Sequence, residues 1–153
     1  MPIIPYIVTI DPVLGTATLS IQIDGTVTIA FAFANNRVTA PARPKVEMTR
    51  AQTREANANI LQWLELVRNR LPVTPTPISR FKLEYEKRKA PGPGAQKVEY
   101  SGEMAGTNFG SGEWNPQTNV VEFGPRPALD LAYSDFLKFM NIVREFLNLC
   151  DEF

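Results

Sequence analysis

The chain reads as an α+β protein built from two pseudo-repeated ββββα units, each a set of antiparallel strands followed by one amphipathic helix. Three observations lead there. The corner Arg43-Pro44-Lys45-Val46-Glu47-Met48 returns as Arg126-Pro127-Ala128-Leu129-Asp130-Leu131, 83 residues later (126 − 43). Both copies run Arg-Pro-x-apolar-acid-apolar into a helical pattern. The same offset then carries along the helices, where Ile60 meets Val143, Trp63 meets Phe146, Leu64 meets Leu147 and Val67 meets Cys150. Finally, the segments ahead of each corner alternate apolar and polar residues at the strand period. The expected organisation is one compact domain over 1–153. Unit one spans 1–71 with its helix over about 49–71, and unit two spans 78–153 with its helix over about 133–150.

The elements follow in order. Residues 3–10 are rich in β-formers, and Pro5 removes a ladder donor, which places this strand at an edge. Residues 11–15 make a turn. Ala17, Leu19, Ile21 and Ile23 alternate with Thr16, Thr18, Ser20 and Gln22. Asp24-Gly25 is a hairpin signal leading to Val27, Ile29, Phe31 and Phe33 on one face of the next strand. That strand is uncharged and strongly β-forming, so it belongs inside a sheet. After Asn35-Asn36, residues 37–48 form a fourth strand interrupted by Pro41 and Pro44. Thr49 and Gln52 have the spacing of a capping box, and Pro72 ends the first helix. Pro75 and Pro77 stiffen the linker that follows. In unit two, Phe81, Leu83 and Tyr85 alternate with Lys82, Glu84 and Glu86. Val98 and Tyr100 alternate with Lys97 and Glu99 on the return. Gly106, Gly110 and Gly112 mark a bulge or bend, and Val120–Phe123 precedes the second corner. Phe136, Phe139, Met140, Val143, Leu147 and Cys150 stripe the last helix as core.

Composition narrows the chemistry. Sixteen basic and sixteen acidic residues leave no bulk electrostatic pull toward nucleic acid or membrane, though a local patch remains open. With no histidine, the commonest general base and imidazole metal sites are absent. The single cysteine cannot form an internal disulfide, and its place on an apolar stripe makes it a core thiol. The glycines at 106, 110 and 112 lack the Lys-Ser/Thr and the helix of a phosphate loop. A non-enzyme without a cofactor or metal is expected. No run approaches 18 apolar residues and no signal peptide opens the chain, so a soluble, cytoplasmic protein without membrane contact is expected.

Four strands, a helix, four strands and a helix is an order that resembles the Whirly proteins. Half of it resembles the related single-unit transcriptional coactivators. In that family a short strand of basic, small, apolar, polar and apolar residues leads into a helix carrying an aromatic. Lys45-Val46-Glu47-Met48-Thr49 and Ala128-Leu129-Asp130-Leu131-Ala132 are similar to it. Phe136 matches the helix aromatic, while Thr53 departs from it. The resemblance implies binding of single-stranded DNA or RNA across the sheets, by basic side chains and stacked aromatics.

The candidate nucleic-acid-binding residues are Arg37, Arg43 and Lys45 in unit one, and Lys82, Lys87, Arg88, Lys89 and Lys97 in unit two. Arg80 to Lys97 holds six basic residues against two acidic ones, around a loop stiffened by Pro91 and Pro93. Tyr85, Tyr100 and Trp114 are stacking candidates where their face is open, and core where it is not. The blander reading of Lys82, Glu84, Glu86, Lys97 and Glu99 is a solvated, salt-bridged ladder. After Lys97 there are three basic residues against nine acidic ones. A second class therefore stands beside the first, a protein-interaction module of the same fold, with oligomerisation open.

Overall fold

The computed structural model describes residues 6–23, 27–79, 81–88, 97–104, 107–116 and 118–151. The Asp24-Gly25 turn, Lys89 and the Pro91–Gly94 loop lie outside these residues, as do the side chains of 81–88 and 97. Two antiparallel five-stranded sheets and two helices make up the α+β architecture. The first sheet has the order β1 (Tyr6–Asp11), β2 (Thr16–Ile23), β3 (Val27–Ala34), β4 (Arg37–Ala40), β10 (Leu129–Ala132). The second has the order β5 (Val46–Thr49), β9 (Val120–Phe123), β8 (Thr107–Asn115), β7 (Lys97–Met104), β6 (Phe81–Arg88). Helices α1 (Arg50–Arg70) and α2 (Tyr133–Asp151) cover the inner faces.

The expected fourth strand over 37–48 is two strands in different sheets. β4 pairs with β3 and β10, and β5 pairs with β9. The Pro-interrupted corner divides them, because proline cannot donate to a ladder. Between them Arg43 and Arg126 form an isolated antiparallel bridge, each N–H donating to the other's carbonyl at 2.9 and 3.0 Å. The register never slips across it: Ala40 faces Leu129, Arg43 faces Arg126 and Val46 faces Phe123. Shifting Ala40 and Leu129 by the repeat offset, in opposite senses, yields Phe123 and Val46, which is also a pair. A pseudo-two-fold axis therefore passes between the two arginines. Each unit gives its pre-helix strand to the other unit's sheet.

Local chemistry sets the turns. Asn35 and Asn36 both have positive φ (52° and 63°) and close the two-residue loop between β3 and β4, as a hairpin of this length demands. Asp11 accepts from the Val13 and Leu14 N–H groups, and Gly15 supplies the positive φ (70°) that returns the chain to β2. The capping box forms: Gln52 N–H donates to Thr49 Oγ1, and Thr49 N–H donates to Gln52 Oε1. The linker after α1 is pinned. The Asn36 amide donates to Thr74 O and accepts from Thr74 N–H, and Ser79 donates through N–H and Oγ to Asp135.

The core lies between the sheets' inner faces and the helices. The α1 positions Thr53, Ala56, Asn57, Ile60, Trp63, Leu64 and Val67 are buried. Each has a buried counterpart at the repeat offset on α2: Phe136, Phe139, Met140, Val143, Phe146, Leu147 and Cys150. The helices run antiparallel across the axis, with Asn57 Nδ2 donating to Met140 O at 3.1 Å, Tyr133 Oη to Leu64 O, and Arg54 to Asp151. Arg50 and Arg54 stand in α1's first turns and Asp151 ends α2, each on the wrong pole of its own helix dipole. Their pairing across the helices offsets that mismatch.

β3 is the central strand of its sheet, between β2 and β4, as its uncharged, β-forming sequence requires. Its amides from Thr28 to Ala32 are expected to exchange with solvent far more slowly than those of the 12–15 turn. Hydrogen exchange followed by NMR measures this, and loop-like rates there would contradict the strand order.

Candidate functional site

Sheet two carries most of the candidate cations, and its register shows what surrounds them. Val98, Tyr100, Gly112, Trp114, Val121, Phe123, Val46 and Met48 are buried on the inner face. The alternate residues make up the outer face. There Glu86 pairs with Glu99, Glu99 with Glu113, Glu113 with Glu122, and Glu122 with Glu47. Glu99, Glu113, Glu122 and Glu47 thus form one row across four strands, and the backbone register continues it to position 86 on β6. At about 4.8 Å between strands the row is roughly 19 Å long. Directly opposed like charges destabilise a sheet. Lys45, exposed, relieves one end, with Nζ 3.1 Å from Glu47 and 3.3 Å from Glu122. Those carboxylates hold its ammonium above the usual lysine range.

The backbone register spaces several of the candidate cations along β6 and β7. Lys82 pairs with Glu103 at one end of the β6–β7 ladder, and Arg88 pairs with Lys97 at the other. Six residues of strand separate Lys82 from Arg88, about 20 Å, with the glutamate row between. Lys87 stands opposite the buried Val98, in the alternate phase from Lys82 and Arg88. Lys45 is committed to glutamates. Arg43 is half-buried, and its Nη1 donates to Gly124 O at 2.9 Å and Pro44 O at 3.1 Å. The aromatic candidates are core where they are described. Trp114 is buried with the Arg50 guanidinium 5.4 Å from its ring, and Tyr100 packs edge-on against Phe146 at 4.9 Å. Cys150 is fully buried, and burial followed by the Asp151 charge pushes its thiol up to about 12.

The outer face of sheet one holds Thr16, Thr18, Ser20, Gln22 and Thr39, with Arg37 and Asp130 joined at 2.6 Å. That face offers little to a phosphate. Its edge differs. Among the described residues β1 pairs only with β2, leaving the other side of its backbone outermost in the sheet. Ile7 on it is 68% exposed and Tyr6 44%, and the turn that follows exposes Val13 and Leu14.

The remaining concentration of charge is internal. Arg126, absent from the sequence-derived candidates, is only 4% exposed. Its Nε and Nη1 have no hydrogen-bond partner, and its guanidinium lies 5.7 Å from the Phe31 ring centroid. Burial, then repulsion from Arg43, pulls it down to about 10. Burial also lowers Arg43, and raises Tyr100 far enough to keep that phenol neutral. The sequence signal for this pair was the repeated Arg-Pro corner, which marks the axis but says nothing of burial.

No family model, curated protein or solved structure matches the chain. Among the described residues there is no group of three or more potential metal ligands, and no helix long and apolar enough to cross a membrane.

Proposed function

We propose that the protein is a non-enzymatic protein-interaction module of Whirly-like architecture, whose binding edge is β1. The observation that carries this is the strand Tyr6–Asp11, whose outer edge no described residue pairs. It is apolar and extended, with no lysine or proline within it to discourage pairing. Sheet edges of this kind accept a further strand, main chain to main chain. A second copy of β1 fits. In antiparallel self-pairing its one charge, Asp11, would face Tyr6 and meet no like charge. The glutamate row supports a protein over a polyanion, since phosphates laid across sheet two would meet carboxylates on four of its strands. Sedimentation equilibrium tests the reading. The parent chain is expected to dimerise as concentration rises, and Ile7→Lys to stay monomeric. Ile7 is exposed, so the substitution is expected to change stability by less than about 0.5 kcal/mol. A parent chain that remains monomeric removes β1 as a self-pairing edge.

One observation favours the nucleic-acid reading. The register places two basic residues, Arg88 and Lys97, at opposed backbone positions at the end of the β6–β7 ladder. Single-stranded DNA or RNA titrated at low salt separates the two. On the interaction reading no binding appears. Binding whose logarithm falls against log salt with a slope of about −2 would instead report roughly three phosphate contacts. Replacing Lys87, Arg88 and Lys89 together by Ala would then flatten that slope.

A further inference from the structure

Beneath the Arg43–Arg126 bridge, between the two helices, lies a cavity of about 70 Å³. Pseudo-symmetry explains its existence. Where α2 places Phe139 and Phe136, α1 places Ala56 and Thr53 at the same repeat positions. One half is filled by phenyl rings and the other half is not. Ala56, Thr53, Phe139 and Met140 line the space, and both corner arginines reach it.

The charge there is unbalanced. Among the described residues no carboxylate lines the cavity, and burial keeps Tyr100 at its wall neutral. Arg43 spends Nη1 on two carbonyls, whereas Nε and Nη1 of Arg126 are buried with nothing to donate to. A buried cation without a hydrogen-bonded counter-charge costs several kcal/mol. A site that holds one beside apolar walls is built for an anion with an apolar body. The volume is about half of the roughly 150 Å³ that accommodates the six carbons of benzene, so it suits the three-carbon tail of butanoate, whose carboxylate stands at the Arg126 guanidinium. Phosphate or sulfate would bring charge with nothing for the apolar walls.

We propose that this cavity binds a small aliphatic carboxylate, its charge met by Arg126 and its chain lying against Ala56 and Met140. Donors of a guanidinium to a carboxylate give charge-assisted bonds, about twice as strong as neutral ones. The site is independent of β1 and of sheet two's outer face.

The test uses butanoate, with butanamide and inorganic phosphate as controls at matched ionic strength, read by calorimetry and by thermal unfolding. Butanoate is expected to bind and raise the melting temperature, and neither control to do so. Arg126→Met keeps the bulk, removes the charge and breaks no side-chain hydrogen bond of Nε or Nη1. It is expected to fold and to bind butanoate at least about tenfold more weakly. Ala56→Phe fills the space as Phe139 does across the axis, and is expected to abolish binding with both arginines in place. This second variant decides the matter if the first fails to fold. Absence of butanoate binding to the parent overturns the proposal. So does equal binding of butanamide or phosphate, or butanoate binding that survives Ala56→Phe.

Discussion

Leu64→Ala and Leu147→Ala are each expected to lower the free energy of unfolding by about 2–5 kcal/mol. The two leucines occupy equivalent positions on α1 and α2, and both are 0% exposed. Truncation removes three carbons from a packed setting and leaves a void that the neighbours fill only in part. The neighbours here are constrained. Leu64 lies beside Trp63, also fully buried, and its carbonyl accepts the Tyr133 hydroxyl. Leu147 follows Phe146, which is held against Tyr100. Chemical denaturation of the two variants measures the loss. Comparable losses at both sites are expected, because the axis places the leucines in like surroundings. A loss near zero at either would mean that its helix face is not packed.

Gly112→Ala is expected to cost about 1–3 kcal/mol, a large effect for one methyl group. An added Cβ would lie 2.5 Å from Tyr100 Cε1 and 3.1 Å from Phe123 Cε1. Real side chains do not approach so closely, so the Tyr100 ring would have to move. It is buried, with Phe146 against it. The register explains why glycine is there. Trp114 faces Val121 as Phe33 faces Val38, which puts Gly112 where unit one has Phe31. Unit one sets a large Phe31 beside Ala40, and unit two a glycine beside Phe123. The two units thus divide similar volume differently. Thermal unfolding of Gly112→Ala checks this, and a melting temperature equal to the parent's would mean that Tyr100 has room to yield.

The repeat, both helices and the alternating strands were legible because each rests on local periodicity. Leu64 and Leu147 could be placed in the core from spacing alone, and Thr49 with Gln52 announced the cap. The destination of β5 was not legible. Residues 37–48 alternate well enough for one strand, and nothing local says that Val46–Thr49 pairs with Val120–Phe123. That choice is made by long-range pairing. The same holds for the glutamate row. Every strand of sheet two has at least one glutamate in its polar phase, but only register aligns Glu86, Glu99, Glu113, Glu122 and Glu47. The candidate cations were chosen by density along the chain, and a pleated sheet disperses what the sequence groups. Arg126 was missed because arginine is usually exposed. Its burial follows from sitting on an axis that exists only once two distant corners meet.

The exchange of strands at those corners also orders events in time. Sheet one is complete only with Leu129–Ala132, so during synthesis its β4 side stays open until that strand, some ninety residues later, has been made (129 − 40 = 89). Sheet two waits in turn on a strand made early, Val46–Thr49, which must remain unpaired until Val120–Phe123 arrives. Closing such distant contacts is slow, because the entropy of the intervening loop is lost before any pairing rewards it. The first helix can cap and coil at once, yet its apolar face has half a roof. The Arg126 corner links the two closures, since its bridge to Arg43 lies in register between them.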